Sequence, residues 1–167
     1  MQVAAPAAPA APAIPTASPV ALDQPPQRAR FTKLDADGQA LPATATDWRY
    51  VRVDTGAVRF DMLAGNLDDQ RKTHSEAAQA CAALGEGWRM ATLDELEAIR
   101  DITRFSPAVD PTFFPDIHPN FYWTSSPDAE DPDDYAWVVH FRSGSVGLHH
   151  RDHRAFVRAV RSVPASQ

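Results

Sequence analysis

Histidine and arginine are concentrated in one stretch near the carboxyl end of the chain, residues 140–154, which reads HFRSGSVGLHHRDHR. Imidazole changes its charge near about pH 6.5, and guanidinium binds carboxylate, sulfate or phosphate groups through paired hydrogen bonds. We therefore predict a ligand-binding surface here, bordered by the aromatic residues that precede it. The predicted ligand-binding residues are Tyr122, Trp123, Arg142, His149, His150, Arg151 and His153.

The neighbouring residues 128–134, DAEDPDD, contain five acidic side chains. Carboxylate oxygens are the ligands that calcium prefers, so this loop is a candidate calcium site, although a run of charges is also typical of a solvated surface loop. A transition metal held by His140, His149 and His153 is a further alternative to polar ligand contacts. No other cofactor is predicted. The candidate calcium ligands are Asp128, Glu130, Asp131, Asp133 and Asp134.

No catalytic residue is predicted. A nucleophilic enzyme needs a serine or cysteine held beside a base. Ser125 and Ser126 lack a G-x-S-x-G context, and Cys81 is the one cysteine of the chain. Cys81 falls on the apolar stripe of a predicted helix, which favours an inert buried thiol. We therefore expect a binding protein rather than an enzyme.

The candidate residues lie on a predicted hairpin. Alternation of residue types from Tyr135 to Phe141 predicts a half-buried strand, and Ser143-Gly144 predicts a two-residue turn that returns the chain antiparallel. Counted outward from that turn, Val138 faces His149, so His140 and His149 share one face of the sheet.

Two helices are predicted to support this hairpin. Thr73 with Glu76, and Thr92 with Glu95, each fit a capping box, in which a hydroxyl and a carboxylate bind the free amides at a helix start. Alternating apolar residues upstream of the first helix predict short strands. We therefore interpret the strands and helices before the hairpin as the scaffold that supports it.

The chain has 167 residues and a net charge of −6, which suits one domain with an appendage and disfavours nucleic-acid binding. No run approaches ~18 apolar residues, so no membrane insertion is expected. Residues 1–30 read as a Pro/Ala-rich arm or linker, either a spacer or a segment that docks on a protein partner. They do not resemble a signal peptide. The predicted domain spans residues 31–163, and residues 164–167 form a tail.

Eight segments together match the pattern of one known family. They are 48–56 (with VRVDTG), 77–84 (with AA, C and L), 87–96 (with GWRMAT and EL), 106–110 (SPAVD), 114–115 (FP), 122–126 (YWTSS), 136–144 (with AW, V, F and G) and 157–161 (VRAVR). Over about residues 44–162, the chain resembles the C-terminal domain of Legionella-type collagen-like adhesins.

The resemblance implies an α+β, C-type-lectin-like fold: two helices packed on small twisted antiparallel sheets, with the N- and C-terminal strands pairing. It implies recognition at a virion or extracellular surface, because better-known members adhere to sulfated polysaccharides and distant relatives are phage receptor-binding proteins. Sugar-binding lectins of this fold carry Glu-Pro-Asn or Gln-Pro-Asp and Trp-Asn-Asp motifs, which this chain lacks. Formylglycine-generating enzymes share the scaffold but use paired cysteines, which a chain with one cysteine cannot supply.

The chain departs from the family pattern at two positions. Many members carry a cysteine where this chain has Ala159, and it pairs with the helix cysteine that corresponds to Cys81. Loss of such a bridge costs about 2–4 kcal/mol unless packing compensates, and it fits assembly in a reducing cytoplasm. Arg59 also stands where a large apolar residue is usual.

We predict a non-enzymatic surface-recognition module, of the adhesin or phage receptor-binding type, that binds a glycan or host receptor through the hairpin and loops of residues 127–154. The alternative is a structural virion or appendage component that makes protein–protein contacts through its N-terminal arm. The resemblance also implies a homo-oligomer, trimers included, because relatives that bind surfaces commonly trimerise for avidity, and this fits both alternatives.

Overall fold

The computed structural model describes residues 29–164, which form nine strands, two helices and one 3₁₀ turn. The strands are β1 (Arg30–Leu34), β2 (Ala40–Leu41), β3 (Tyr50–Asp54), β4 (Arg59–Leu63), β5 (Arg89–Met90), β6 (Phe121–Pro127), β7 (Tyr135–His140), β8 (Ser145–His150) and β9 (Ala159–Ser162). The helices are α1 (His74–Ala82) and α2 (Leu93–Ile99). The predicted α+β class, with two helices and small antiparallel sheets, is confirmed.

The predicted arm lies outside the described residues except at its end, where Arg30 already pairs with Asp54 as the first residue of β1. Within residues 29–164, neither helix has the length and apolar character that crossing a bilayer requires.

Six strands form the larger sheet, in the order β2-β1-β3-β4-β9-β5. The first and last strands both lie in it, but β9 pairs with β4 and β5 rather than with β1. The expected direct pairing of the terminal strands is therefore wrong. Arg59 begins β4 and forms a 2.9 Å ion pair with Asp54, its partner on β3. A charged residue is tolerated there because its guanidinium stays at the sheet surface.

The smaller sheet has the order β6-β7-β8, and its hairpin differs from the prediction. Pairing between β7 and β8 stops at His140 and Ser145, which leaves a four-residue loop instead of a two-residue turn. Gly144 adopts a φ of 76° in that loop, and its N–H donates to the His140 carbonyl at 2.8 Å. The register shifts by two residues, so Ala136 faces His149. Because the shift is even, His140 and His149 still share a face.

Both helices begin where the capping boxes predict. The carboxylates of Glu76 and Glu95 accept the N–H groups of Thr73 and Thr92, each at 2.9 Å. Glu95 also accepts two bonds of 2.7 Å from Arg89. Burial acts to raise the pKa of Glu95, but the bonds from Arg89 and Thr92 outweigh it and hold the pKa below its ordinary value. Glu95 is therefore an ionised structural group.

The core consists of two clusters that share strand β7. Val139 packs in the first cluster, with residues of α2 and the larger sheet, whereas Val138 packs in the second, with residues of α1. Both faces of this part of β7 are covered, although the alternation predicts a half-buried strand. Cys81 and Ala159 lie together in the second cluster, each at most 1% exposed. Packing therefore attaches α1 to the sheet where many relatives have a disulfide.

Arg158 is a buried charge, 1% exposed, that joins two parts of the chain. Its Nη1 donates to the carbonyls of Leu63 and Gly65, at 3.2 and 2.6 Å, where β4 ends. Its Nη2 lies 2.7 Å from Asp116 Oδ2, in the long loop before β6. The end of the larger sheet is thereby fixed to the loop that leads into the smaller sheet.

We expect Arg158→Met to lower the free energy of unfolding by about 3–5 kcal/mol, because the substitution leaves Asp116 and two carbonyls without their buried partner. Arg161→Met is the matched control in the same strand region. Arg161 is partly exposed, and its partner Asp61 keeps a second ion pair with Arg52, so the expected loss is about 1 kcal/mol. Urea unfolding followed by tryptophan fluorescence measures both; equal losses would contradict the assigned role of Arg158.

Candidate functional site

Two of the predicted contact residues, Tyr122 and Trp123, lie in the core at 0% exposure. The Tyr122 hydroxyl donates to Asn66 Oδ1 at 2.9 Å, and burial raises its pKa to about 12. The indole N–H of Trp123 donates to the Lys72 carbonyl at 2.8 Å. Neither side chain reaches the surface, so the prediction that they contact a ligand is corrected.

Arg142 is separated from the other predicted contacts. It lies in the loop at the hairpin tip, where its guanidinium is 5.5 Å from the ring centroid of Phe105. His149 pairs with Ala136, four residues along β7 from His140. At a rise of about 3.3 Å per residue, the hairpin tip and His149 are therefore about 13 Å apart or more.

The outer end of the hairpin, away from its tip, presents a surface that we call the aromatic face. Trp137 faces Leu148 across the strands, and Tyr135 faces His150. Tyr135 and Leu148 are 38% and 39% exposed. Trp137 is partly exposed and is not among the described residues that pack against either core cluster. The aromatic face consists of Tyr135, Trp137, Leu148, His150, Arg151 and His153.

The turn after β8 brings Arg151 and His153 to the edge of the aromatic face. The Arg151 N–H donates to the Asp134 carbonyl at 2.7 Å, and its Nε donates to the Tyr135 carbonyl at 3.4 Å. His153 lies at the sheet edge between the two faces, with its ring centroid 6.2 Å from that of His150 and 5.5 Å from that of His149, and His150 lies edge-on to Tyr135 at 5.4 Å. Three of the predicted contact residues therefore lie together beside exposed aromatic surface.

His149 lies on the opposite face of the sheet. It and His140 both pack on Phe121, with ring centroids 4.3 and 4.2 Å from it. Burial lowers the pKa of both imidazoles; the neighbouring His153 and His140 lower that of His149 further, and the Arg142 guanidinium lowers that of His140 further. Both rings therefore act as neutral packing groups near pH 7. Within residues 29–164, no group of three histidines, cysteines or acids is arranged to hold a metal, so the transition-metal alternative is not supported.

The acidic loop is organised by one of its own carboxylates. Asp128 Oδ1 accepts the Ala129 N–H at 2.8 Å, and its Oδ2 accepts the Asp131 N–H at 3.3 Å. The described part of the chain brings no three carboxylates into a metal-holding arrangement. The structure thus favours a solvated acidic border of the aromatic face over a calcium site made by Asp128, Glu130, Asp131, Asp133 and Asp134.

Trp137 and Leu148 are the site residues that the sequence does not single out. The alternation places Trp137 on the same face as the buried Val139, which points it inward. The position of α2 over the sheet accounts for the exposure of Trp137. At the start of the helix, the Leu93 N–H donates to Ser126 Oγ on β6 at 3.1 Å. The helix ends with Arg100 bonded to the Gly144 carbonyl at 2.7 Å. The helix therefore crosses the sheet obliquely, and the outer end of β7 and β8 stays partly exposed.

Cys81 has the features of an inert thiol. It is fully buried, and burial raises its pKa to about 12. Only the thiolate attacks an electrophile, and at pH 8 about one thiol in ten thousand would be ionised at that pKa. Cys81 therefore offers no nucleophile in the folded protein.

We expect no reaction of native Cys81 with a disulfide reagent at pH 8 over an hour, and one equivalent of reaction once the protein is unfolded in guanidinium. Ala78→Cys is the matched control, because Ala78 is exposed on the same helix and its thiol should react within minutes. Rapid reaction of one thiol in the native wild-type protein would contradict the buried assignment.

Comparison with known proteins places the fold in one family. The model described as the Lcl C-terminal domain matches residues 42–161, which cover strands β3 to β8, both helices and all but the last residue of β9. A search of curated proteins finds no match to this chain.

Proposed function

Because the chain belongs to the Lcl C-terminal domain family, an adhesin-associated domain, we propose that it is a non-enzymatic module that binds a surface glycan through the aromatic face. The observation that carries the proposal is the position of Trp137. Apolar surface that stays in contact with water costs free energy, and here a partly exposed Trp137 lies on one sheet face with the exposed Tyr135 and Leu148.

The chemistry of the aromatic face suits a sugar. Aromatic rings give flat apolar contact at a low cost in conformational entropy, and the apolar faces of pyranose rings can lie on them. His150 and His153 offer ring nitrogens next to these rings, and Arg151 offers the guanidinium N–H groups that its contacts with Tyr135 and His74 leave free. The contacts would thus combine stacking with directed hydrogen bonds.

The charge around the aromatic face is mixed. The acidic loop borders one side, and its Asp134 carbonyl is bonded directly to the Arg151 backbone. Arg154, farther along the turn, lies 3.5 Å from Glu76. A polyanion would therefore meet carboxylates as well as cations, and this favours a glycan of low charge density as the ligand. Its affinity should depend only weakly on salt.

We expect Trp137→Ala to weaken glycan binding by about tenfold or more, a change of about 1.4 kcal/mol, because a central aromatic contact is lost. The ligand is first found on an array that contains neutral, sialylated and sulfated glycans, and its affinity is then measured by calorimetry with the soluble oligosaccharide.

Phe105→Ala is the matched control. Phe105 is 67% exposed but lies at the hairpin tip, so its removal should leave the calorimetric affinity unchanged. Equal losses for both variants, or wild-type binding by Trp137→Ala, would place the site elsewhere. Preference for sulfated glycans, with affinity that falls steeply as salt is raised, would contradict the low-charge ligand.

A second candidate function is protein–protein contact at the opposite end of the domain. A groove of about 620 Å³ lies there, lined by Ala29, Phe31, Thr55 and the residues from Glu97 to Thr103. Ile102 on its rim is 74% exposed, the highest exposure among the large apolar residues of the described chain. The groove adjoins the point at which residues 1–28 join the domain. This favours a self-associating or particle-bound role that can coexist with glycan binding.

If this groove mediates self-association, Ile102→Asp should convert an oligomer of the full chain into a monomer, because the new charge would be desolvated in the interface. Ala78→Asp, on the solvent-exposed side of α1, is the control and should leave the mass unchanged. Light scattering after size exclusion gives both masses; identical masses for wild type and Ile102→Asp would contradict this second candidate.

A further inference from the structure

His74, the first residue of α1, is buried at 7% exposure and is held in one tautomer. Its Nε2 lies 3.0 Å from the Thr124 carbonyl oxygen. A carbonyl only accepts hydrogen bonds, so Nε2 carries the proton. Its Nδ1 lies 3.4 Å from Arg151 Nη1, and guanidinium only donates, so Nδ1 presents its lone pair. These two partners together require a neutral ring.

The same two residues are joined through the backbone, because the His74 N–H donates to the Arg151 carbonyl at 3.0 Å. Arg151 also donates to the carbonyls of Asp134 and Tyr135, as described above. Arg151 therefore links α1, the acidic loop and β7. The His74 ring is the side chain that contacts the Arg151 guanidinium on the side that faces α1.

We propose that His74 is a positioning residue that holds Arg151 in the aromatic face while its imidazole is neutral, so that the face loosens when the ring is protonated. Protonation at Nδ1 would set an N–H against the guanidinium N–H groups, with two positive charges at 3.4 Å. The bond would become a repulsion, and the turn of residues 151–154 would lose its side-chain attachment to α1 at His74, while the backbone bonds of Arg151 remain. The effect on ligand affinity rests on the proposed function, whereas the loosening of the turn does not.

The surroundings of the ring disfavour its charged form. Arg151 faces it from the turn after β8, and Trp123 of β6 covers it edge-on at 5.2 Å. His149 lies on the other side of that indole, at 6.2 Å from it. The amino-terminal end of α1 adds positive partial charge. Among the described residues, no carboxylate forms an ion pair with His74.

The charged residues next to His74 in sequence are engaged elsewhere. Lys72 lies 3.1 Å from Asp68, and Glu76 caps Thr73 and pairs with Arg154. Burial lowers the pKa of His74 and the Arg151 charge lowers it further, against the opposing bond to the Thr124 carbonyl. The native contact is therefore complete at and above the ordinary histidine value of 6.5 and is lost as the pH falls below it, through the lower pKa of the folded state.

The test compares three variants with the wild-type full chain between pH 7.5 and pH 5. His74→Asn keeps an acceptor oxygen near the Nδ1 position but cannot take up a proton. Arg151→Gln removes the opposing charge. His140→Asn removes a histidine whose pKa is also lowered but which stacks on Phe121 at the tip end of β7. Two readouts need no ligand: the ring nitrogen shifts of His74, and amide protection factors in residues 151–154, corrected for intrinsic exchange.

In wild type and His140→Asn, we expect protection of the turn to fall at least threefold from pH 7.5 to the acid end of the series, as His74 Nδ1 becomes protonated. His74→Asn should show a flat profile, and Arg151→Gln should shift the His74 titration to higher pH. For the glycan found on the array, wild-type affinity should fall about threefold or more in parallel. The inference is overturned if the turn is equally protected at both pH values in wild type, or if His74→Asn keeps the wild-type profile.

The proposed function and the proposed role of His74 can be contradicted independently of each other. If no glycan binds at any pH while the nitrogen shifts and protection factors follow the expected course, then the proposed function is wrong and the role of His74 stands. If glycan binding requires Trp137 but its pH profile is unchanged by His74→Asn, then the role of His74 is wrong and the proposed function stands.

Discussion

A guanidinium inside a protein must be bonded by its surroundings, because an unpaired buried charge costs several kcal/mol. Arg158 meets this requirement in part: its Nη1 donates to two carbonyls where β4 ends, and its Nη2 forms a charge contact with Asp116 that lacks hydrogen-bond geometry. Asn66 continues the network, because its amide donates to the Asp116 carbonyl at 2.8 Å and its oxygen accepts the Tyr122 hydroxyl at 2.9 Å. β6, and with it β7 and β8, is positioned by this chain of contacts. The aromatic face therefore depends on a charge that lies outside it.

Local rules account for much of what the sequence predicts. The two capping boxes define both helix starts because they act over four consecutive residues. Alternation in β7 and β8 predicts that His140 and His149 share one face. This prediction holds although the predicted strand register is wrong, because the register error is two residues and an even shift keeps each side chain on its face. The four-residue loop itself was missed because Ser143-Gly144 fits more than one hairpin geometry, and only the pairing of the flanking strands distinguishes them.

Exposure of the aromatic residues was not predictable in the same way. Trp123 and Trp137 sit in equivalent patterns on adjacent strands, yet the first is in the core and the second is partly exposed. The difference arises because Trp123 packs in the cluster that contains residues of α1, whereas Trp137 packs in neither core cluster. Both depend on tertiary packing by residues that are distant in sequence. The same holds for His74, whose isolated position gives no sign of its contact with Arg151, 77 residues later.

Strand β8 lies at an edge of its sheet and contributes little to either core cluster, with Val146 as the residue that packs against the first. Its Gly147 has nothing within 4 Å of the position that a side chain would occupy. Most substitutions in β8 would thus leave the packing of β7 intact. Substitutions in this strand can therefore alter the surface that the domain presents while the framework beneath it keeps its packing.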